Sequence, residues 1–277
     1  MSFEQPVGIA GVGLIGGSIA LRAREAGLRV AGFDRDSRAN VRAFVDIAAA
    51  SLEDLAMRSG TLVLALPLDA TLEAIDVLRR MEPKASLILD VASVKRPVVE
   101  RARGWRRFVA THPIAGSERT GAAHARADLF EGRTWTYVPA AAGDESQTGA
   151  ARSFIEAMGG RPIEIGEEEH DRMLALSSHL PQVVASVLGA VLAEREIRPE
   201  LAGPGLASTL RLAGSPWPLW ETILRANGAV LAPAVRDVAE RLAQVADELT
   251  AGELQRTASS FESANRAYEK LARENAK

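Results

Sequence analysis

The chain has 277 residues, 47 % of them hydrophobic and 25 % charged, with a formal net charge of −3 and no cysteine. That length supplies core for one large domain or two moderate ones. Without cysteine, disulfides, thiolate nucleophiles and cysteine zinc sites are excluded, and the mild negative charge argues against nonspecific binding to nucleic acid or anionic membrane.

The N-terminus "MSFEQPVGIAG" carries an acidic residue where a secretory leader would be basic. The longest apolar run, "LVLALPL", is far too short for a membrane span, so a cytoplasmic protein is expected. The first 165 residues alternate short β-rich runs with amphipathic segments, which predicts an α/β Rossmann-like domain with a mostly parallel sheet. The strand candidates are Val7–Ala10, Leu28–Phe33, Thr61–Leu66, Ser86–Val91, Arg107–Thr111, Thr134–Val138 and Arg161–Ile165. Several are apolar at consecutive positions, as strands buried on both faces should be.

The first strand runs into "GVGLIGGSIALRAREAG", where Gly11, Gly13 and Gly16 have the G-x-G-x-x-G spacing. A lone glycine motif is weak. Here it follows a strand, opens a helix, and leads to a second strand that ends in Asp34. In a dinucleotide site Gly11 permits the tight turn, Gly13 lets backbone approach a pyrophosphate, and Gly16 lets helix and strand pack closely. Leu14 and Ile15 then open the helix whose free amides face the phosphates, and Leu66, at the end of the next strand candidate, and Pro67 after it are further cofactor-binding candidates. Asp34 is placed to accept both ribose hydroxyls and to repel a 2′-phosphate, which favours NAD. Arg35 beside it is suited to a phosphate and keeps NADP as the alternative.

The arginines of "RARGWRRF" (101–108) read as a solvated face. After them comes "THPIAGSERTG" (111–121), without helical or strand period, which places His112 on a loop just past a strand's carboxyl end. Only four histidines occur in the chain. Pro113 fixes the backbone behind this one, and Gly116 and Gly121 allow a close approach of ligand or chain.

From Gly166 the character changes, and a helical domain is expected over 166–277 after a dinucleotide-binding domain over 1–165. Residues 167–195 read as one long helix with an acidic first turn. Pro181 inside it takes the partner from the Ser177 carbonyl, so a kink is expected near Ser178–His179. From Pro233 a further helix repeats Val235, Val238, Leu242, Val245 and Leu249 at three and four residues, and another follows from Glu253. Such an array buries more against a copy of itself than alone, which predicts a homodimer. His124 and His170 read as surface residues.

Six stretches, "GVGLIGGSIA", "DVASVK", "THPIAGSERTG", "LFEGRTWTYVP", "EEHDRMLALSSHLPQ" and "TLRLAGSPWPLW", resemble the prephenate/arogenate dehydrogenase family of tyrosine biosynthesis, in order from about residue 7 to 260. The resemblance implies hydride transfer to NAD(P)⁺ from the ring carbon bearing a 4-hydroxyl. Loss of the ring carboxylate as CO₂ follows, giving 4-hydroxyphenylpyruvate from prephenate. His112 takes the general-base role it implies, since an imidazole titrating near neutrality suits that proton transfer. Ser93 falls beside the nicotinamide, within reach of the 4-hydroxyl or His112, and equally fits the N-cap of the helix "VKRPVVE".

Arg211 matches the family's substrate-binding arginine, suited to a bidentate grip on a carboxylate. Glu118 matches an acidic position that helps close the site, and His179 either lines the cleft or is a buried structural residue. Two positions depart from the family pattern. Gln182 stands where many relatives have histidine, and neutral Ser208 stands where an acid could hold arogenate's ammonium group. Prephenate is therefore the expected substrate, with arogenate or an amino-deoxy analogue as the alternative. The chain ends soon after the helical region, so no separate regulatory domain is expected.

Two rivals remain. A β-hydroxyacid dehydrogenase or imine reductase would carry a lysine or other polar catalytic group on the long helix, which has no lysine. A dinucleotide-sensing module would have no use for His112 and Arg211 together. No metal is expected.

Overall fold

A computed structural model describes residues 2–36, 40–116, 121–139, 145–195 and 197–275. The chain forms two compact units, Met1–Val230 and Leu231–Lys277.

In the first unit β1 (Val7–Ala10) leads into α1 (Leu14–Glu25), then β2 (Val30–Phe33), a short β3 (Ile47–Ala48) and α2 (Leu52–Arg58). The pattern continues with β4 (Thr61–Leu64), α3 (Leu68–Met81), β5 (Leu87–Asp90), α4 (Arg96–Ala102) and β6 (Phe108–Val109). These strands pair in parallel in the order β3-β2-β1-β4-β5-β6. Chain order reverses between β1 and β4, so their carboxyl ends open the crevice where ligands bind in doubly wound sheets. Residues of β1, β4 and β5 alternate between two fully buried cores. Val7, Ile9, Val63 and Leu89 face one, and Ala10, Leu62, Leu64 and Ile88 face the other. Burial of each large aliphatic side chain here contributes about 1.5–3 kcal/mol. This is why these strands are apolar at consecutive positions, with Thr61 and Asp90 the polar exceptions at the start of β4 and the end of β5.

The sequence reads Arg107–Thr111 as one strand, but the chain uses it twice. β6 ends at Val109, and β7 (Thr111–Pro113) joins a second, three-stranded sheet of order β7-β8-β9 with β8 (Thr134–Tyr137) and β9 (Arg161–Glu164). β7 runs antiparallel to β8, while β8 and β9 are parallel. Helix α5 (Glu145–Ala157) lies between β8 and β9 in the chain. The loop placement of His112 is thereby corrected: it is a strand residue opposite Thr136. Three residues are too few to show a period, so this strand is invisible in the sequence pattern.

The long helix forms as α6 (Glu167–Leu174) and α7 (Leu180–Ala193), joined by one π turn over Ala175–His179. The expected kink therefore takes the form of a widened turn that accommodates Pro181, which lies at the start of α7. After α8 (Pro204–Leu210), α9 (Trp217–Ala251) starts well before Pro233 and runs through it, which corrects the expected start there. The second unit contains the rest of α9 and α10 (Gln255–Asn275), with Gly252 at φ +72° between them.

Candidate active site

At the crevice, the three glycines differ in a way that separates packing from binding. Gly11 has φ +89°, and a Cβ there would meet the Ala65 carbonyl oxygen at 2.3 Å. A Cβ on Gly16 would meet the Gly11 carbonyl oxygen at 1.9 Å. Gly13, at the N-cap of α1, has nothing within 4 Å of a Cβ. The open side of the loop is where a phosphate would approach the α1 amides. Leu14 and Ile15, half-buried, form the first residues of α1.

Asp34 directs one carboxylate oxygen to the Val12 amide at 2.7 Å and the other to the Asp36 amide at 2.8 Å. It therefore braces the glycine loop. A cavity of about 210 Å³ opens beside it, lined among others by Ala10, Phe33, Arg35, Leu66 and Val77. Pro67 is exposed at the N-cap of α3. Apolar walls, an open glycine loop and a neighbouring carboxylate together fit an adenosine diphosphate moiety.

β5 ends in Asp90, a buried carboxylate that organises the next layer. It accepts from the Thr111 amide at 3.0 Å and the Ala92 amide at 2.9 Å, and pairs with the buried Lys95 ammonium. Lys95 Nζ also donates to the Thr111 carbonyl at 2.6 Å. Burial lowers the Lys95 ammonium from its ordinary value, and Asp90 and Asp171 oppose the shift. Both members of the ion pair grip β7, so the strand that carries His112 is tied to the end of β5.

His112 is only 8 % exposed, and its Nδ1 lies 2.9 Å from Nε2 of His170. His170 Nδ1 in turn lies 2.8 Å from Oδ1 of Asp171. Asp171 accepts the Lys95 and Arg96 amides at 2.7 and 2.9 Å, so it caps α4 from a distant part of the chain. The cap reading of Ser93 is thereby corrected: α4 starts at Arg96, and Ser93 is half-buried two residues before its N-cap. The surface reading of His170 is corrected as well, since it is fully buried. His124 is exposed.

Burial, then Coulombic repulsion from His170, Lys95 and His179, lowers the His112 pKa well below 6.5. Burial pushes the Asp171 carboxyl up, but hydrogen bonds from His170 and the two amides outweigh it and hold it below the usual value. The site thus combines a neutral imidazole with an ionised carboxylate one ring away.

His179 stands nine residues after His170. In a regular α-helix that is about two and a half turns, which would put the two rings on opposite faces. The π turn between them rotates the second ring back. Asn227, on α9, donates to the Asp171 carbonyl at 2.8 Å and lies 3.2 Å from His179 Nδ1. His179 is buried, against the Trp220 ring, and burial lowers its pKa to about 4. Gln182 is also buried and donates to the Leu212 carbonyl at 2.8 Å and to Ser186 Oγ at 3.1 Å. It thereby holds the short turn Arg211–Gly214 against α7. Arg211 and Ser208 are exposed, on that turn and on α8. Glu118 lies outside the described residues.

Sequence reasoning misses His170, Asp171, Lys95 and Asn227 as a connected group. The signal is present in part: His170 and Leu174, and Asp171 and Ala175, are four apart and face inward together.

Two family models match in succession. One, described as "Prephenate dehydrogenase, nucleotide-binding domain", covers residues 18–164, and "Prephenate dehydrogenase, dimerization domain" covers 166–263. A prephenate dehydrogenase of Bacillus subtilis is 30 % identical over 234 residues, 79 % of this chain, and this chain spans 63 % of that protein's length. Among solved structures, prephenate dehydrogenase from A. aeolicus in complex with hydroxyphenyl propionate and NAD⁺ is similar at a TM-score of 0.84. The identity is 25 %, over 97 % of this chain and 98 % of that one. Synechocystis arogenate dehydrogenase has a TM-score of 0.76 and 26 % identity, over 96 % and 99 %. With the two models matched in order on either side of Ile165, the chain belongs to the prephenate dehydrogenase family.

Proposed function

We propose that the chain is an NAD-dependent prephenate dehydrogenase. It would oxidise the ring carbinol of a cyclohexadienol, with loss of the ring carboxylate as CO₂. The observation that carries this reading is a buried, neutral His112 backed by His170 and Asp171 on the sheet side where the glycine loop opens. A sensing module needs no such group. When bound, NAD⁺ accepts the hydride. The chain's own residues deal with the proton: His112 takes it from the 4-hydroxyl, and the electrons of that O–H bond become the new carbonyl. Ser93 is assigned to orient the hydroxyl, and Arg211 to hold a substrate carboxylate in a bidentate grip. Glu118, His179 and Ser208 are assigned to line the substrate side, with Gln182 supporting the Arg211 turn. The division of labour falls near residue 165, with cofactor before it and helical substrate and dimer elements after it.

NADH formation measured with prephenate and arogenate, each with NAD⁺ and NADP⁺, tests the reading. Prephenate with NAD⁺ is expected to give the highest kcat/KM, because Ser208 offers no charge to arogenate's ammonium group. Turnover of neither compound would refute it.

Cofactor choice is assigned to Asp34. Asp34→Ser is expected to shift the NAD⁺/NADP⁺ ratio of kcat/KM toward NADP⁺ by about 10–100-fold. Charge-assisted ribose hydrogen bonds of about 1.5–3 kcal/mol are lost and repulsion is relieved. An unchanged ratio would remove the assignment.

Assembly as a homodimer is supported by exposed apolar side chains in both units. Glu167–Ala193 holds an 18-residue window long and apolar enough, by composition, to cross a membrane, yet the helix also contains the buried His170, Asp171 and His179. Its Val184, Val187 and Val191 are exposed. In the second unit Leu242, Leu249 and Phe261 are each more than 60 % exposed. Surfaces of this kind mark association sites, and a second copy is the occupant we assign. Sedimentation at micromolar concentration is expected to give a dimer, and a monomer would contradict it.

A further inference from the structure

Outside the cofactor crevice, the chain His112–His170–Asp171 links three buried polar side chains. Ionised Asp171 has no proton to give, so its 2.8 Å contact with His170 Nδ1 is an N–H donated by the imidazole. The Nδ1–H tautomer of His170 presents a bare Nε2, which accepts the Nδ1–H of His112 across 2.9 Å. His112 in turn has no proton on Nε2. That nitrogen is the one free to take a proton from substrate.

We propose that His170 is a positioning residue which, held by Asp171, fixes His112 as the Nδ1–H tautomer and leaves Nε2 as the basic atom. The proposal rests on His112 being the base. Two further observations support it. Asp171 cannot turn away from His170, because its oxygens also accept the Lys95 and Arg96 amides and its carbonyl accepts Asn227. The His112 and His170 rings meet at 64° with centroids 5.1 Å apart, so the hydrogen bond fixes the plane of the His112 ring as well as its proton. When His112 takes the substrate proton, its Nδ1–H bond to His170 becomes charge-assisted, with the Asp171 carboxylate beyond it. The step balances with the hydride going to bound NAD⁺: one proton leaves the hydroxyl and arrives on Nε2, and the electrons of the O–H bond form the carbonyl. A buried carboxylate orienting a general-base imidazole is known from hydrolytic triads; here a second imidazole stands between the two.

The groups facing His112 are His170 and His179 from the long helix and Lys95 from the α4 cap, with Asp171 behind His170. Nitrogen-15 NMR of histidine-labelled protein at about pH 8, above the ordinary imidazole value, reads the tautomer directly. Only four histidines need assignment. The expected result is His112 protonated at Nδ1 and bare at Nε2. His170→Phe is expected to move His112 toward the Nε2–H form and to lower kcat by on the order of 10²-fold, within the 10²–10⁴-fold limit for losing the base itself, with KM little changed. His170→Gln, whose carbonyl can accept the Nδ1–H, is expected to recover most of that loss.

A wild-type His112 carrying its proton on Nε2 overturns the proposal, whether or not the variants fold. A folded His170→Phe with wild-type kcat does the same. If His112→Asn is inactive while His170→Phe is fully active, only the positioning role fails. If His112→Asn is itself fully active, the base assignment fails.

Discussion

His112→Asn is expected to lower kcat by roughly 10²–10⁴-fold and to leave KM nearly unchanged. Asparagine can still donate to His170 Nε2, but it cannot accept the proton. The substitution thus separates positioning from base catalysis. The pH profile adds an independent check. Because burial and the surrounding groups hold His112 well below 6.5, the acid limb of kcat/KM should lie to the acid side of that value, and it should vanish in His112→Asn. The same depression has a consequence for stability. A histidine whose folded pKa is lowered contributes stability that is fully present above its unfolded value, about 6.5, and is lost as pH falls toward the folded value. His179, at about 4, acts in the same direction. The fold should therefore weaken below about pH 6.5.

Lys95→Met is expected to cost about 3–5 kcal/mol, since it leaves the fully buried Asp90 without its cation. The deficit should itself depend on pH. An unpaired buried Asp90 has its folded pKa raised, so protonation relieves it: the deficit is smallest in acid and grows as pH rises through that folded value. Adding Asp90→Asn should recover part of the loss, because no charge then remains buried. Urea unfolding of the wild type and of the single and double variants across pH measures this, and a single-variant cost below about 1 kcal/mol would show that the pair does not hold β7. Activity should fall with stability, because Lys95 and Asp90 both grip Thr111, the residue before His112.

The elements legible in the sequence are those with a period or a local signature. β1, β4 and β5 are short apolar runs buried on both faces. The glycine loop has three positions whose spacing, set between a strand and a helix, states the turn, the open approach and the close packing. The chain's transfer between sheets at Ala110 is not legible, because two residues of one strand and three of the next have no period of their own. Nor is the helix through Pro233: a proline counts locally against the interior of a helix, and tertiary packing overrides it.

At the site, His112 stands out through its neighbours, and family resemblance supplies its role. His170 reads as a surface residue because acidic residues and an arginine surround it in sequence. Its burial depends on α4, which contacts α6 in the fold, and on Asn227 more than fifty residues later. The π turn is equally hidden. Pro181 announces a disturbance near His179, but only the rotation it produces brings His179 toward the same network as His170.

Product analysis of prephenate incubated with NAD⁺ tests the central claim most directly. The account predicts that NADH, CO₂ and 4-hydroxyphenylpyruvate appear in equal amounts, and that all three disappear together in His112→Asn. NADH without CO₂, or the three products formed at the wild-type rate by His112→Asn, would contradict it.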